Sequence, residues 1–323
     1  MTTSGVAILS RRCSNAFQPH SPSSRFRRQV ISNPIFATLL SASTQKSMHS
    51  SASTVLDILD KEPMITSTKG QTLKLYQSLA TKAKSRTKNK MTILEGHRLV
   101  IDSLANPNIR NLYHDILVTE SALHHPQLGE RLCSQLEDLL LENSRCRVHL
   151  AADNVVQAAC DTVTPQGVVG IVNIPREYTP PTDPSESVGK RKKLYLLLDG
   201  ISDPGNVGTL LRSSKAVGVE AVIMLPNCCD VWNPKAVRSA MGTTFQVPIY
   251  TVKSWDACLN FMTECGVVKE NVYAATMEGS EGSTSESFNS IAHYDIDWID
   301  GISDAGGAVV LGKVSTSMIN TFA

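Results

Sequence analysis

Two short segments hold the residue types best suited to chemistry on a charged, oxygen-rich ligand. The first is DPGNVGTLLR, Asp203 to Arg212. Pro204 and Gly205 make a turn, Asn206 is placed to cap a helix, and Gly208 lets another backbone approach closely. Amides at the helix start, with Arg212 one turn inside, form an anion-friendly site. A strand–helix turn whose arginine is merely exposed accounts for the residue types equally well. The run is not GxGxxG, and it lacks the Lys-Ser/Thr of a phosphate loop, so a dinucleotide or ATP enzyme is disfavoured. The second segment is NPKAVRSAMG, Asn233 to Gly242. Asn233 reads as an N-cap and Pro234 as the first helical residue. Lys235 and Arg238 lie three apart on one face. Ser239, Ala240 and Gly242 are small enough for a partner element or ligand to press against them. Taken alone, this is an amphipathic helix with exposed bases.

The elements around these segments alternate. LYLLLDG (Leu194 to Gly200) is a continuous apolar run, as in a strand buried on both faces. A helix is expected from about Gly208 to Val217, then a strand over Val219–Leu225 and a helix over Pro234–Met241. Further strands are expected at Phe245–Val252, Val272–Met277 and Ala308–Gly312, with a helix at Trp255–Glu264. Strand–helix alternation implies a parallel sheet with helices on its faces. Upstream, residues 64–175 read as a small α/β domain. Thr92–Leu104 gives a short strand, a turn at Gly96 and a helix, and strands are expected at Leu112–Thr119, Val148–Leu150 and Val168–Val172. Leu132, Leu136, Leu139 and Leu140 recur at helical spacing. Between the two regions, residues 176–193 (REYTPPTDPSESVGKRKK) have the composition of a linker.

A length of 323 residues accommodates about two domains, and no apolar run is long enough to span a membrane. The net charge of +1 argues against a nucleic-acid partner only if charge is evenly spread, and it is not. The first acid is Asp57, and residues 1–56 carry six basic residues among many Ser and Thr. That is the composition of an organelle transit peptide, mitochondrial or chloroplast. Without it, 25 basic residues face 30 acidic ones. Lys82, Lys84, Arg86, Lys88 and Lys90 cluster in one window as a solvated face or a phosphate-binding patch. The eight cysteines show no CxxC, which fits reduced thiols, and no metal site is expected.

LLLDGISDPGNVGTLLRSSKAVGVEAVIM followed by NPKAVRSAMGTTFQVPI resembles the SpoU family of RNA ribose 2′-O-methyltransferases, in the SPOUT superfamily. ILEGHRLV and TPQGVVGIV resemble parts of the substrate-binding domain that precedes the catalytic domain there. The resemblance covers about residues 64–312. It implies an α/β fold with a parallel-sheet SPOUT-type catalytic domain, residues 194–323, behind a small α/β RNA-binding domain, residues 57–175. It also implies S-adenosylmethionine as cofactor, rRNA or tRNA as substrate, and a homodimer. Asn206 and Arg212 fall on the family's catalytic Asn and Arg. Thr276, Met277, Gly279, Leu311 and Gly312 fall where its cofactor pocket begins. Lys235 and Arg238 are then expected at RNA phosphate. Arg86, Lys88, Lys90 and Arg98 are expected to position RNA, and Glu95 to cap the helix after it.

The resemblance stops at Gly312. The family continues with Gly-x-Glu-x-x-Gly, whereas here KVSTSMINTFA follows, with Val314 at the Glu position. The final strand, the knot-forming segment and the last helix of the family are expected to be missing, with about half the cofactor pocket and much of the dimer surface. A splice isoform or incorrect gene model is one explanation. A noncatalytic RNA-binding protein derived from such an enzyme is the other. The first is preferred, because Asn206 and Arg212 stand in place beside an abrupt loss of pattern. Weak or absent cofactor binding is the corresponding expectation for this chain.

Overall fold

The computed structural model describes residues 50–61, 63–142, 145–176, 193–275 and 306–312. Most of the expected leader and of the linker therefore lies outside the described residues. The expected leader, residues 1–56, overlaps the first described helix. Ser50–Leu59 is a helix, α1, and its Val55 is fully buried in the core of the N-terminal lobe.

That lobe continues with α2 (Gln71–Thr81), α3 (Ala83–Asn89), β1 (Met91–Glu95), α4 (His97–Leu104), α5 (Pro107–Arg110) and β2 (Tyr113–Val118). It closes with α6 (Glu120–Leu123), α7 (Gly129–Leu141), β3 (Arg147–Leu150), α8 (Asp153–Ala159) and β4 (Val168–Asn173). Among the described residues its sheet runs β1-β4-β2-β3, with β4 antiparallel to both neighbours and β2 parallel to β3. Leu132, Leu136 and Leu139 are buried along one face of α7, as their spacing predicts.

The C-terminal lobe comprises β5 (Leu194–Asp199), α9 (Pro204–Val217), β6 (Ala221–Met224), α10 (Pro234–Ser239), β7 (Ile249–Thr251), α11 (Trp255–Glu264), β8 (Val272–Ala274) and β9 (Gly307–Gly312). Its sheet runs β7-β6-β5-β9-β8 among the described residues, and every pairing is parallel. Tyr195 to Asp199 are all buried, which is why β5 reads as an unbroken apolar run. The expected strand at Phe245–Val252 is shorter, because Thr243–Phe245 forms a 3₁₀ turn first.

The lobes share a core that their sequence separation hides. Val237 of α10 is fully buried among N-terminal-lobe residues, with Phe245 packed alongside. Burying one such valine contributes roughly 1.5–3 kcal/mol. Polar contacts flank it. The Thr92 hydroxyl donates to the Trp232 carbonyl at 2.7 Å, and Arg86 Nε donates to Asp230 Oδ2 at 2.7 Å.

Candidate functional site

The helix that carries Asn206 and Arg212 begins earlier than its sequence suggests. Asp203, not Asn206, is the N-cap: its carboxylate accepts the Asn206 N–H at 2.9 Å. Pro204 occupies the first turn, where a missing N–H costs nothing, and Gly218 ends the helix in the left-handed conformation. The Asn206 amide holds the Asp203 carboxyl below the usual range, with Lys235 adding to the effect. Asn206 is exposed in the first turn, and its side chain has no hydrogen-bond partner among the described residues.

Arg212 is exposed, and among the described residues its guanidinium has no hydrogen-bonding or ionic partner. Six residues of α-helix rotate it roughly 240° from Asn206 and carry it about 9 Å along the axis. The two are thus held on one rigid element but not side by side.

The second segment meets the first at a tight seam. Asn233 caps α10 by accepting the Lys235 N–H at 2.9 Å, and Pro234 is the first helical residue, as the sequence predicts. A Cβ on Gly208 would lie 2.5 Å from the Ala236 carbonyl oxygen and 2.8 Å from the Ala240 nitrogen. Ser239 Oγ donates to the Gly205 carbonyl at 2.8 Å, and Lys235 Nζ reaches Asp203 Oδ2 at 3.4 Å. The small face of α10 is therefore spent on α9. Gly208→Ala is expected to push these helices apart and cost roughly 1–3 kcal/mol, read as a lower denaturation midpoint. An unchanged midpoint would show that the seam is loose.

Three expected roles change. Arg86 was grouped with RNA-positioning cations, but its side chain is only 3% exposed and is bound to Asp230. Its Nη1 donates to the Leu79 carbonyl at 2.7 Å, at the end of α2. Glu95 does not cap α4: it accepts from Arg238 Nη1 at 2.9 Å and from the Thr162 hydroxyl. Arg238 is thereby tied to the N-terminal lobe and half-buried, rather than standing free for phosphate. Lys88, Lys90 and Arg98 are exposed. Sequence reasoning missed Asp203 as cap, and Asp230 and Glu95 as partners across the lobes.

Leu311 and Gly312 end β9 beside Asp199 of β5. A Cβ on Gly312, at φ +142°, would run into the Asp199 carbonyl, so only glycine allows β9 to end this close to β5. Asp199 is buried and accepts the Trp255 indole N–H at 3.2 Å. Thr276, Met277 and Gly279 lie outside the described residues. The seven described cysteines form no disulfide with one another. Burial pushes the Cys146 and Cys258 thiols up to about 12, so neither is a ready nucleophile near neutral pH.

In the C-terminal sheet the chain steps outward from β5 to β7, then returns through β8 and β9 on the other side. Ligands of such sheets bind where the strand order reverses, outside the carboxyl ends, which here are Asp199 and Gly312. The class so defined is a doubly wound α/β domain with an arginine-bearing helix after its central strand. Comparison with known proteins is more specific. Residues 193–313 match the SpoU rRNA Methylase family. The chain is 31% identical over 185 residues, 57% of its length, to the Bacillus subtilis (strain 168) 23S rRNA (guanosine(2553)-2′-O)-methyltransferase RlmP, covering 63% of that protein. It is 31% identical over 182 residues, 55% of its length, to the Danio rerio mitochondrial rRNA methyltransferase 3A, covering 38% of it. The chain thus spans less than two thirds of either relative. The solved SpoU methyltransferase AviRb from Streptomyces viridochromogenes, in complex with AdoMet, shares the fold. Its TM-score is 0.55 at 18% identity, covering 79% of this chain and 85% of that one. The family match falls on the C-terminal lobe.

Proposed function

We propose that this chain methylates a ribose 2′-hydroxyl in rRNA or tRNA with S-adenosylmethionine as donor. The observation that carries the reading is Arg212, exposed and without a partner among the described residues, on a capped helix behind β5 within the segment matched to the SpoU family. The cofactor supplies an electrophilic methyl group on its sulfonium. Leu311 and Gly312, at the carboxyl end of β9, are the proposed start of the cofactor site, and Thr276, Met277 and Gly279 follow the neighbouring strand end in sequence. A 2′-hydroxyl is a weak acid and a poor nucleophile, so it needs alignment and relief of its proton. Arg212 grips the adjacent phosphate and stabilises charge growing on the ribose oxygen. Guanidinium stays protonated, so Arg212 is not the base, and the hydroxyl proton passes to solvent water. Asn206 orients the ribose. Lys235, Lys88, Lys90 and Arg98 contribute phosphate contacts that fix register rather than sequence.

Val314 at the position of the family's Glu favours a second reading, a noncatalytic RNA-binding protein. On the first reading the altered loop weakens the cofactor site without abolishing it. Calorimetry of the chain with S-adenosylmethionine separates the two. Saturable binding supports methylation by this chain, whereas RNA binding with no cofactor binding removes methylation by this chain. Homodimer formation is proposed from the family resemblance. An organelle is the proposed location, supported by the acid-free N-terminus, and the mitochondrial relative favours the mitochondrion over the chloroplast. Among the described residues no helix is long and apolar enough to cross a membrane.

A further inference from the structure

A cleft of about 540 Å³ opens between the lobes. Its walls are mostly apolar, from Leu99 and Leu128 on one side and Met241 on the other. The His125 ring lies 4.7 Å from the His97 ring, tilted by 50°. Burial holds His97 below the usual histidine range, which favours a neutral ring whose Nε2 pairs with the Ala122 carbonyl. The hydrogen-bonding groups at the rim are Ser121 and Gln166, both exposed. The acid in the cleft, Glu95, is already engaged by Arg238 and Thr162. Arg98, exposed on the first turn of α4, therefore leaves the mouth positively charged. Met241 is 40% exposed and sits at φ +52°, an uncommon conformation for a residue with a side chain.

We propose that this cleft seats one unstacked nucleobase of a single-stranded RNA segment, with the adjoining phosphate on Arg98. The proposal rests on the RNA-methylation reading and adds a site to it. The volume is in the range of small-molecule sites, and the apolar walls with an imidazole suit a π-face. Gln166 accepts the His97 N–H at 2.9 Å through its oxygen and leaves its amide nitrogen for a base edge, while the Ser121 hydroxyl is bonded to Thr119 and Asp153. A duplex keeps its bases stacked and has no free face to insert. The site also has a positioning consequence. α10 lends Arg238 to the cleft while its Ser239 is bonded to Gly205 of α9. A base held here is thus in fixed register with the helix that carries Arg212.

The test uses the full chain and a short single-stranded oligoribonucleotide carrying 4-thiouridine, photocrosslinked and mapped by mass spectrometry. Crosslinks are expected within residues 121–128 or 238–241. A nucleoside 5′-monophosphate should compete and inorganic phosphate should not, and Arg98→Ala should weaken binding roughly tenfold. Equal competition by phosphate, or crosslinks confined to residues 82–90, would overturn the base site and leave the methylation reading standing. No binding of any RNA would overturn both.

Discussion

Arg212→Ala is expected to lower the rate of methyl transfer roughly 10²–10³-fold, the scale on which removing one donor to a developing oxyanion acts. It should do so without unfolding the protein. The side chain is exposed and unpartnered among the described residues, so its loss should change stability by no more than about 0.5 kcal/mol. Arg212→Lys should recover only part of the rate, because an ammonium cannot make the bidentate, planar contact of guanidinium with phosphate. The measurement is transfer of labelled methyl to RNA at saturating cofactor, with a thermal midpoint on the same samples. A fall in rate with an unchanged midpoint assigns Arg212 to the chemistry. An unchanged rate would remove it from the site.

Arg86→Ala should do the opposite, costing roughly 3 kcal/mol of stability with little direct effect on RNA contacts. Truncation leaves Asp230 without its partner and strips the Leu79 carbonyl of a charged donor at the end of α2. Asp230 is 28% exposed, so water offsets part of the loss. The thermal midpoint should drop by roughly 6–12 °C for a unit of this size. Lys88→Ala, on the same short helix, serves as the control and should leave the midpoint almost unchanged. If instead Arg86→Ala weakens RNA binding at full stability, the buried contact with Asp230 is not what this arginine is for.

The contrast between Arg86 and Lys88 shows where sequence reasoning stops. Alternating Lys and Arg residues look like one cationic face, but a helix rotates residues two apart by roughly 200°. Arg86 therefore points inward while Lys84 and Lys88 point out, and Lys82 and Lys90 flank the helix rather than belonging to it. The apolar run of β5 and the Asn-Pro start of α10 were readable, because burial on both faces and N-capping leave local signatures. Asp203 and Asn206 both have capping side chains three residues apart, and only the backbone shows which one caps. The partners of Arg86 and Glu95 lie 144 and 143 residues away in sequence, beyond any local pattern. Arg212 is a candidate for a different reason. It is carried by the resemblance of the whole DPGNVGTLLR segment, not by residue type alone.

The central claim is ribose methylation dependent on Arg212. The direct measurement is alkaline hydrolysis of RNA incubated with the chain and methyl-labelled S-adenosylmethionine, with cofactor raised well above the micromolar range. A 2′-O-methyl group blocks cleavage at its own nucleotide. The account predicts label retained in alkali-resistant dinucleotides with the native chain and lost with Arg212→Ala. Label released on mononucleotides, or RNA bound but never labelled, would contradict it.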